Sequence, residues 1–383
     1  MNFLPLTIVS SRVTLSLRLY SEGRVSFYST DLEELERRGI PYTKAPVFYN
    51  PRMKLNRDLS VTVFSSLNLR SAADLMAASG VRALRLRLEG GADEVIACDS
   101  NCLSVQVMRI NVRLNRATGI RVRCSDARLE AERMAWEGER VDYLDLDPFG
   151  SPAPFIDSSL RAVRGGGILG VTATDEPPLF GIYPKKLFRY YGVSGRKLPF
   201  CKEFGIRALI SFVVRTAARL DLAAEPLLSY GEAHYIRAYF RIERGASRAQ
   251  RLLGQLGWLA QRDGGFELMR GVDELPGSGG WMGPVWLGGL VSKDFLDELK
   301  PINEEVENLV ERLREEADGP PFYYKLDDIC SELNIRIPKI SIVIESLREM
   351  GHFAARSHLD PLGVKTTASK SELEDLLRKL TSS

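Results

Sequence analysis

"YLDLDPFGSP", residues 143–152, alternates apolar side chains with two acids and then meets proline, an aromatic and glycine. Tyr143, Leu144 and Leu146 read as a short buried strand, with Asp145 and Asp147 recurring at the strand period of two. Pro148 and Gly150 end it, because proline has no N–H for a ladder and glycine favours turns. A turn alone requires neither the pair of acids nor Phe149. The stretch is therefore expected to end a core strand at a functional pocket.

Outward from it, short β-rich runs alternate with helical patterns. Strands are expected at 72–77, 94–99, 120–126, 141–147 and 167–175. Between them, "LSVQVMRINVRLN" (103–115) places Leu103, Val107, Ile110 and Leu114 at helical spacing. After a helix at 204–220, the runs 226–232 and 234–244 are close enough in sequence to pair antiparallel. The expected fold is α/β, a seven-stranded doubly wound sheet of five parallel strands and one antiparallel pair. The composition changes at "ERGASRAQR" (243–251), which suggests a first domain over 1–245 and a second over 246–383. The second opens with turn-rich "DELPGSGGWMGPVWLGG" (273–289) and the charged helix "INEEVENLVERLREEA" (302–317). From residue 325, two helices, a turn and a β-run resemble a winged-helix module, so this domain is expected to be α+β.

A chain of 383 residues with 44% hydrophobic and 27% charged side chains is globular rather than disordered or fibrous. No apolar run is long enough to span a bilayer, and residues 1–10 lack the basic start of a signal peptide. Five scattered cysteines (Cys98, Cys102, Cys124, Cys201, Cys330) form no CxxC pair, and His234, His352 and His358 have no ligand spacing. No metal is expected, and a reducing, cytoplasmic compartment is. Residues 1–245 hold 35 basic and 27 acidic side chains against 17 and 23 in the remainder, a basic surplus that suits a phosphate-rich partner.

In an open parallel sheet, ligands bind beyond the carboxyl ends of the strands. Here Asp99, Asp126, Asp147 and Asp175 end strands and Asp74 lies in the first. Any one of them could be a helix N-cap; the set points to a site. The turn "AASGVRALR" (77–85) has the single Gly80 where a dinucleotide enzyme needs G-x-G-x-x-G, so a pyrophosphate is disfavoured. An adenosine without phosphate fits. Asp99 is spaced to take both ribose hydroxyls and Asp126 the adenine amine, which suits S-adenosylmethionine. Arg57 or Arg82 could fork its carboxylate. At Asp147-Pro148-Phe149, the carboxylate and the proline carbonyl could accept the two N–H bonds of a ring-conjugated amine while the aromatic stacks on the ring.

These residues carry a resemblance. "FYNPRMKLNRDLS", "DLMAASGVRALRLRLE", "DLDPFGSPAPFIDSSLRAVRGGGILGVTATD", "GPVWLGGL" and "ARSHLDPLGVKT" are similar to the tRNA (guanine-26) N2,N2-dimethyltransferase family over about residues 45–370. The resemblance implies a class I, Rossmann-like methyltransferase with S-adenosylmethionine near Arg57, Arg82, Asp99, Asp126 and Ala127. It also implies a catalytic Asp147 and transfer of one or two methyl groups to the guanine amine of tRNA. "TATDEPPL" stands where the family commonly has "TATDGAPL", and Lys202 where it has histidine. The tail lacks a cysteine cluster, as in archaeal branches. Arg356, His358 and Lys365, around a hairpin-like turn, are expected to touch the tRNA backbone. The alternatives are an amino-methyltransferase on another base or a protein amide, and a non-catalytic tRNA-binding protein.

Overall fold

Ahead of the alternation that begins near residue 70, β1 (Leu6–Ser10), β2 (Val13–Glu22) and β3 (Val25–Thr30) form a three-stranded antiparallel sheet, in that order. The computed structural model describes residues 6–10, 13–232, 234–262, 265–273, 276–277 and 279–381. The first half of the apolar opening run and Glu274, Leu275 and Ser278 of the turn-rich stretch lie outside them. The chain forms two compact units, Met1–Val171 with Glu298–Glu307, and Thr172–Asp297 with Asn308–Ser383.

The first unit contains the expected parallel strands, β4 (Ser71–Asp74), β5 (Glu94–Asp99), β6 (Ile120–Cys124) and β7 (Val141–Leu146), and most of β8 (Val163–Ala173). Of the five, only β5 has the expected bounds: β4, β6 and β7 stop short, and β8 begins four residues early. Its helices are α1 (Leu32–Arg37), α2 (Lys54–Ser66), α3 (Val81–Leu88), α4 (Cys102–Leu114), α5 (Ala127–Glu137) and α6 (Ile156–Ala162). The strand order places β4 between β5 and β7, in parallel register Ala73 to Ile96 on one side and Ala73 to Leu144 on the other. The sequence path therefore reverses at β4/β7, the switch point at which open sheets bind ligands.

The buried face of α4 is Ser104, Val105, Val107, Met108 and Asn111, so the expected stripe is rotated and Leu114 is exposed. Hydrogen bonding explains the shift. Asn111 accepts from the Tyr28 amide (2.7 Å) and donates to the Tyr28 carbonyl (2.9 Å), and Asn115 does the same for Ser26 at 3.1 and 2.6 Å. Each amide satisfies two partly buried backbone groups, which favours Asn111 on the core side and Asn115 at its margin.

In the second unit, β9 (Leu222–Glu232) and β10 (Tyr235–Arg244) pair antiparallel as expected. They complete the seven-stranded order β6-β5-β4-β7-β8-β10-β9. Helices α7 (Glu176–Leu179), α8 (Pro184–Tyr191) and α9 (Cys201–Ala218) precede them, and α10 (Ala246–Leu253) follows, so the composition change at 243–251 marks a strand-to-helix junction. Strands β11 (Leu256–Arg262), β12 (Gly265–Arg270) and β13 (Met282–Trp286) form a small sheet, followed by α11 (Lys293–Glu298) and α12 (Glu304–Glu316). The winged-helix pattern follows: β14 (Tyr324–Lys325), α13 (Leu326–Glu332), α14 (Ile340–Glu349), β15 (Ala354–Arg356) and β16 (Gly363–Thr366), then α15 (Lys370–Thr381). Leu326, Ile329, Val343, Leu347, Val364 and Leu373 share its core. No helix among the described residues is long and apolar enough to cross a membrane.

Candidate functional site

Asp74 ends β4 and Asp145 lies directly beside it in the register of β7. Like charges side by side in a buried sheet are unfavourable unless a cation joins them. Arg82, on the buried face of α3, is that cation. Its Nη1 donates to Asn56 (2.8 Å), Ser60 (2.7 Å) and Asp145 (3.3 Å), and its Nη2 pairs with Asp147. Tyr143 donates to the same Asp145 oxygen at 2.6 Å. Two carboxylates, Asp145 and Asp147, thus bind one guanidinium whose charge Asp74 also feels, and Asp147, just past the end of β7, keeps 20% of its side chain exposed. Phe149 is 62% exposed and stands edge-to-face with Phe48, ring centroids 4.7 Å apart.

Asp74 is almost wholly buried and its Oδ2 has no hydrogen-bond partner among the described residues. Burial, against the pull of Arg82, pushes its carboxyl up to about 7. A carboxyl raised in the folded state binds its proton more tightly there than in the unfolded chain. Its contribution to stability is therefore complete at low pH and falls as pH rises toward about 7. Asp74→Asn, which keeps an acceptor for the Met76 amide, is expected to stabilise the fold by on the order of 1–4 kcal/mol at pH 8 and far less at pH 5. Urea titrations at the two pH values measure this; equal shifts at both would refute the buried-acid reading.

Asp99 is partly committed to the backbone: Oδ2 accepts from the Ala78 amide and Oδ1 from the Asn101 amide, both at 2.8 Å. Ala78 has φ 46°, so the Asp99 carboxylate pins a turn whose backbone an alanine rarely adopts. Gly80 follows with φ 81°, and a Cβ there would come within 2.6 Å of Met108. This tight turn, with its single glycine, is not a pyrophosphate cradle. Asp126 is the N-cap of α5, accepting from the Arg128 amide at 2.9 Å and from its guanidinium, which holds its carboxyl below the ordinary range. Ala127, the first residue of α5, is buried beside it.

Arg57 is buried against Glu22 through Nε (2.7 Å) and Nη2 (2.5 Å), with Nη2 also on the Asn50 carbonyl. Its Nη1 has no partner among the described residues. Arg82, by contrast, is committed to the acids and to α2. Sequence reasoning named both arginines but not Asn56 and Ser60, which bond Arg82 and whose i,i+4 spacing within a helix buried from Leu55 to Phe64 was the available signal. It also missed the pairing of Phe48 with Phe149, which no local spacing reveals.

The expected surface patch is corrected. Only Arg356 is exposed. Lys365 is buried, donating to Glu203 at 3.0 Å, and the His358 ring pairs with the buried Glu316. A buried cation needs an anion, and Lys365 has one in Glu203. No group of His, Cys, Asp and Glu placed to hold a metal ion occurs among the described residues.

A model of the N2,N2-dimethylguanosine tRNA methyltransferase family matches residues 28–378. The chain is 38% identical over 356 residues to the tRNA (guanine(26)-N(2))-dimethyltransferase of Thermococcus kodakarensis, covering 88% of this chain and 94% of that protein. With the enzyme of the same name from Methanopyrus kandleri it shares 36% identity over 382 residues, 96% and 98% of the two chains. The structure of Trm1 from Pyrococcus horikoshii in complex with S-adenosyl-L-methionine matches with a TM-score of 0.83 at 33% identity, covering 94% of this chain and 99% of that one. Similarity of this extent, in sequence and in fold, makes the chain a member of the N2,N2-dimethylguanosine tRNA methyltransferase family.

Proposed function

We propose that the chain transfers methyl groups from S-adenosylmethionine to the exocyclic N2 of guanine 26 in tRNA, with Asp147, Pro148 and Phe149 as the groups that meet the base. The observation that carries this is an exposed aromatic beside a carboxylate held in place by a buried guanidinium. The cofactor supplies an electrophilic methyl on a sulfonium. A cationic ligand without phosphates fits the acid-rich switch point and the tight Gly80 turn.

The amine of guanine is a weak nucleophile because its lone pair is delocalised into the ring. Arg82 fixes one oxygen of Asp147, leaving the other to accept an N–H of the amine, with the Pro148 carbonyl taking the second. Phe149 stacks on the ring, its edge supported by Phe48. As the nitrogen gains positive character, the Asp147 carboxylate stabilises it and accepts the proton. After a first transfer one N–H remains, so Asp147 can orient the amine again; after a second none does. A base in a helical stem must leave the stack to reach this pocket.

For the cofactor, Asp99 is assigned to the ribose hydroxyls, Asp126 and Ala127 to the adenine, and the uncommitted Nη1 of Arg57 to the carboxylate; Arg82 acts on that side through the acids it holds. Asp99→Ala is expected to weaken S-adenosylmethionine binding at least about tenfold by removing charge-assisted bonds. Isothermal titration measures it, and an unchanged dissociation constant retires the assignment. Residues 1–245 are read as the catalytic part and 246–383 as assisting tRNA binding, in a cytoplasmic setting that agrees with five cysteines all in the free form. Labelled-methyl transfer to a tRNA transcript with G26, against the same transcript with A26, tests the function. Equal labelling of both would overturn it.

A further inference from the structure

With Lys365 and His358 buried, another surface must receive the tRNA backbone. Between Glu176 and Glu203 the chain has no Asp or Glu but six basic residues, Lys185, Lys186, Arg189, Arg196, Lys197 and Lys202. Five of the six lie in or just after α8. Leu187 and Tyr191 are fully buried and fix the helix to the second unit. The Tyr191 hydroxyl donates to Asp175 at 2.7 Å, and its ring stands edge-on to Phe212 at 5.6 Å. The remaining face of α8 is open.

That face carries large apolar groups as well as charge. Phe188 is 64% and Tyr190 37% exposed, and Tyr183, just before the helix, is 57% exposed. Lys186 and Arg189 lie over the Tyr190 ring at 5.2 and 5.3 Å. Lys185, Lys186, Arg189 and Lys197 form no ion pair among the described residues. The anchored helix thus presents solvated cations interleaved with exposed rings. They match a polyanion that also offers flat bases and riboses.

We propose that the open face of α8 is a tRNA docking surface, with Lys185, Lys186 and Arg189 on backbone phosphates and Phe188 and Tyr190 against ribose or an unstacked base. This rests on the tRNA reading above. It is sequence-independent, since phosphates carry no base information, so it sets where the tRNA lies and leaves the choice of guanine to the Asp147 pocket.

The test measures binding of the full chain to a G26 tRNA transcript by fluorescence anisotropy across a salt series, for the wild type, Lys185→Ala/Lys186→Ala/Arg189→Ala and Phe188→Ala. The triple variant is expected to bind at least about tenfold more weakly at low salt, with the slope of log K against log salt reduced by about 2–3 for three lost phosphate contacts. Phe188→Ala is expected to weaken binding several-fold with the slope unchanged. S-adenosylmethionine affinity of each variant, by isothermal titration, should equal that of the wild type and shows that the fold is intact. An unchanged slope and affinity in the triple variant overturns the docking surface. So does a concentration-dependent dimer that Phe188→Ala dissolves while tRNA affinity stays the same. Because no methyl is transferred in the assay, failure of the G26 chemistry would appear only in the labelling experiment.

Discussion

Asp147→Asn is expected to slow single-turnover methyl transfer by about 10²–10⁴, the scale of a lost general base, while S-adenosylmethionine affinity stays within a few-fold. The size is conserved, so packing beyond β7 is not disturbed. The amide oxygen can still accept from Arg82 Nη2, which engages Asp147 in the wild type. That choice turns the amide NH2 toward the substrate amine, donor against donor. The interaction is lost most completely where the nitrogen carries positive charge, so the rate falls more than binding does. Asp145 provides the contrast. It is fully buried and bonded to Tyr143, Ser60 and Arg82, so its substitution acts on stability and on the aim of Arg82 before it acts on chemistry. Rapid-quench methylation at saturating tRNA and cofactor measures the rate; an Asp147→Asn enzyme close to wild type would sink the mechanism.

The second large effect is structural. Glu203, at the start of α9, accepts at one oxygen from Arg207 (2.9 and 2.7 Å), Lys365 (3.0 Å) and the Phe322 amide (2.8 Å). Burial alone would raise its carboxyl, but Lys365 and Arg207 hold it at about 2. Lys365→Met leaves this anion short of a partner in the core and is expected to cost about 3–5 kcal/mol in denaturant unfolding. Lys365→Met with Glu203→Gln should recover part of the loss, because the stranded charge is gone. A carboxyl depressed in the folded state stabilises fully above its unfolded value near 4.5 and loses that contribution as pH falls toward 2, so the wild type should weaken in that acid window and the double variant less. A Lys365→Met protein as stable as the wild type would place the lysine at the surface after all.

The parallel strands were legible because each is a short apolar run bounded by turn residues, which also places Asp99, Asp126 and Asp147 at or just past strand ends. The partners of those acids were not. Arg82 was read as a fork for a ligand carboxylate because its position suits one. Only the folded structure shows that Asp145 and Asp147 claim it first. Lys365 and His358 misled for a related reason: a basic residue in a turn-rich segment is normally solvated, and the anions that bury these two come from α9 and α12, far away in sequence. The rotated face of α4 shows the limit of apolar periodicity, since an asparagine with both amide ends satisfied belongs in the interior as much as a leucine.

The same asparagines bear on how the molecule keeps to itself. Strand β3 is an outer strand of its sheet, and an outer strand ordinarily offers a row of open N–H and C=O groups on which another polypeptide can build. Asn111 on α4 and Asn115, which caps its C-terminus, occupy the positions a fourth strand would take opposite Tyr28 and Ser26. A helix here does the work of an edge cover, occupying on the β3 side the groups that another chain would otherwise pair with.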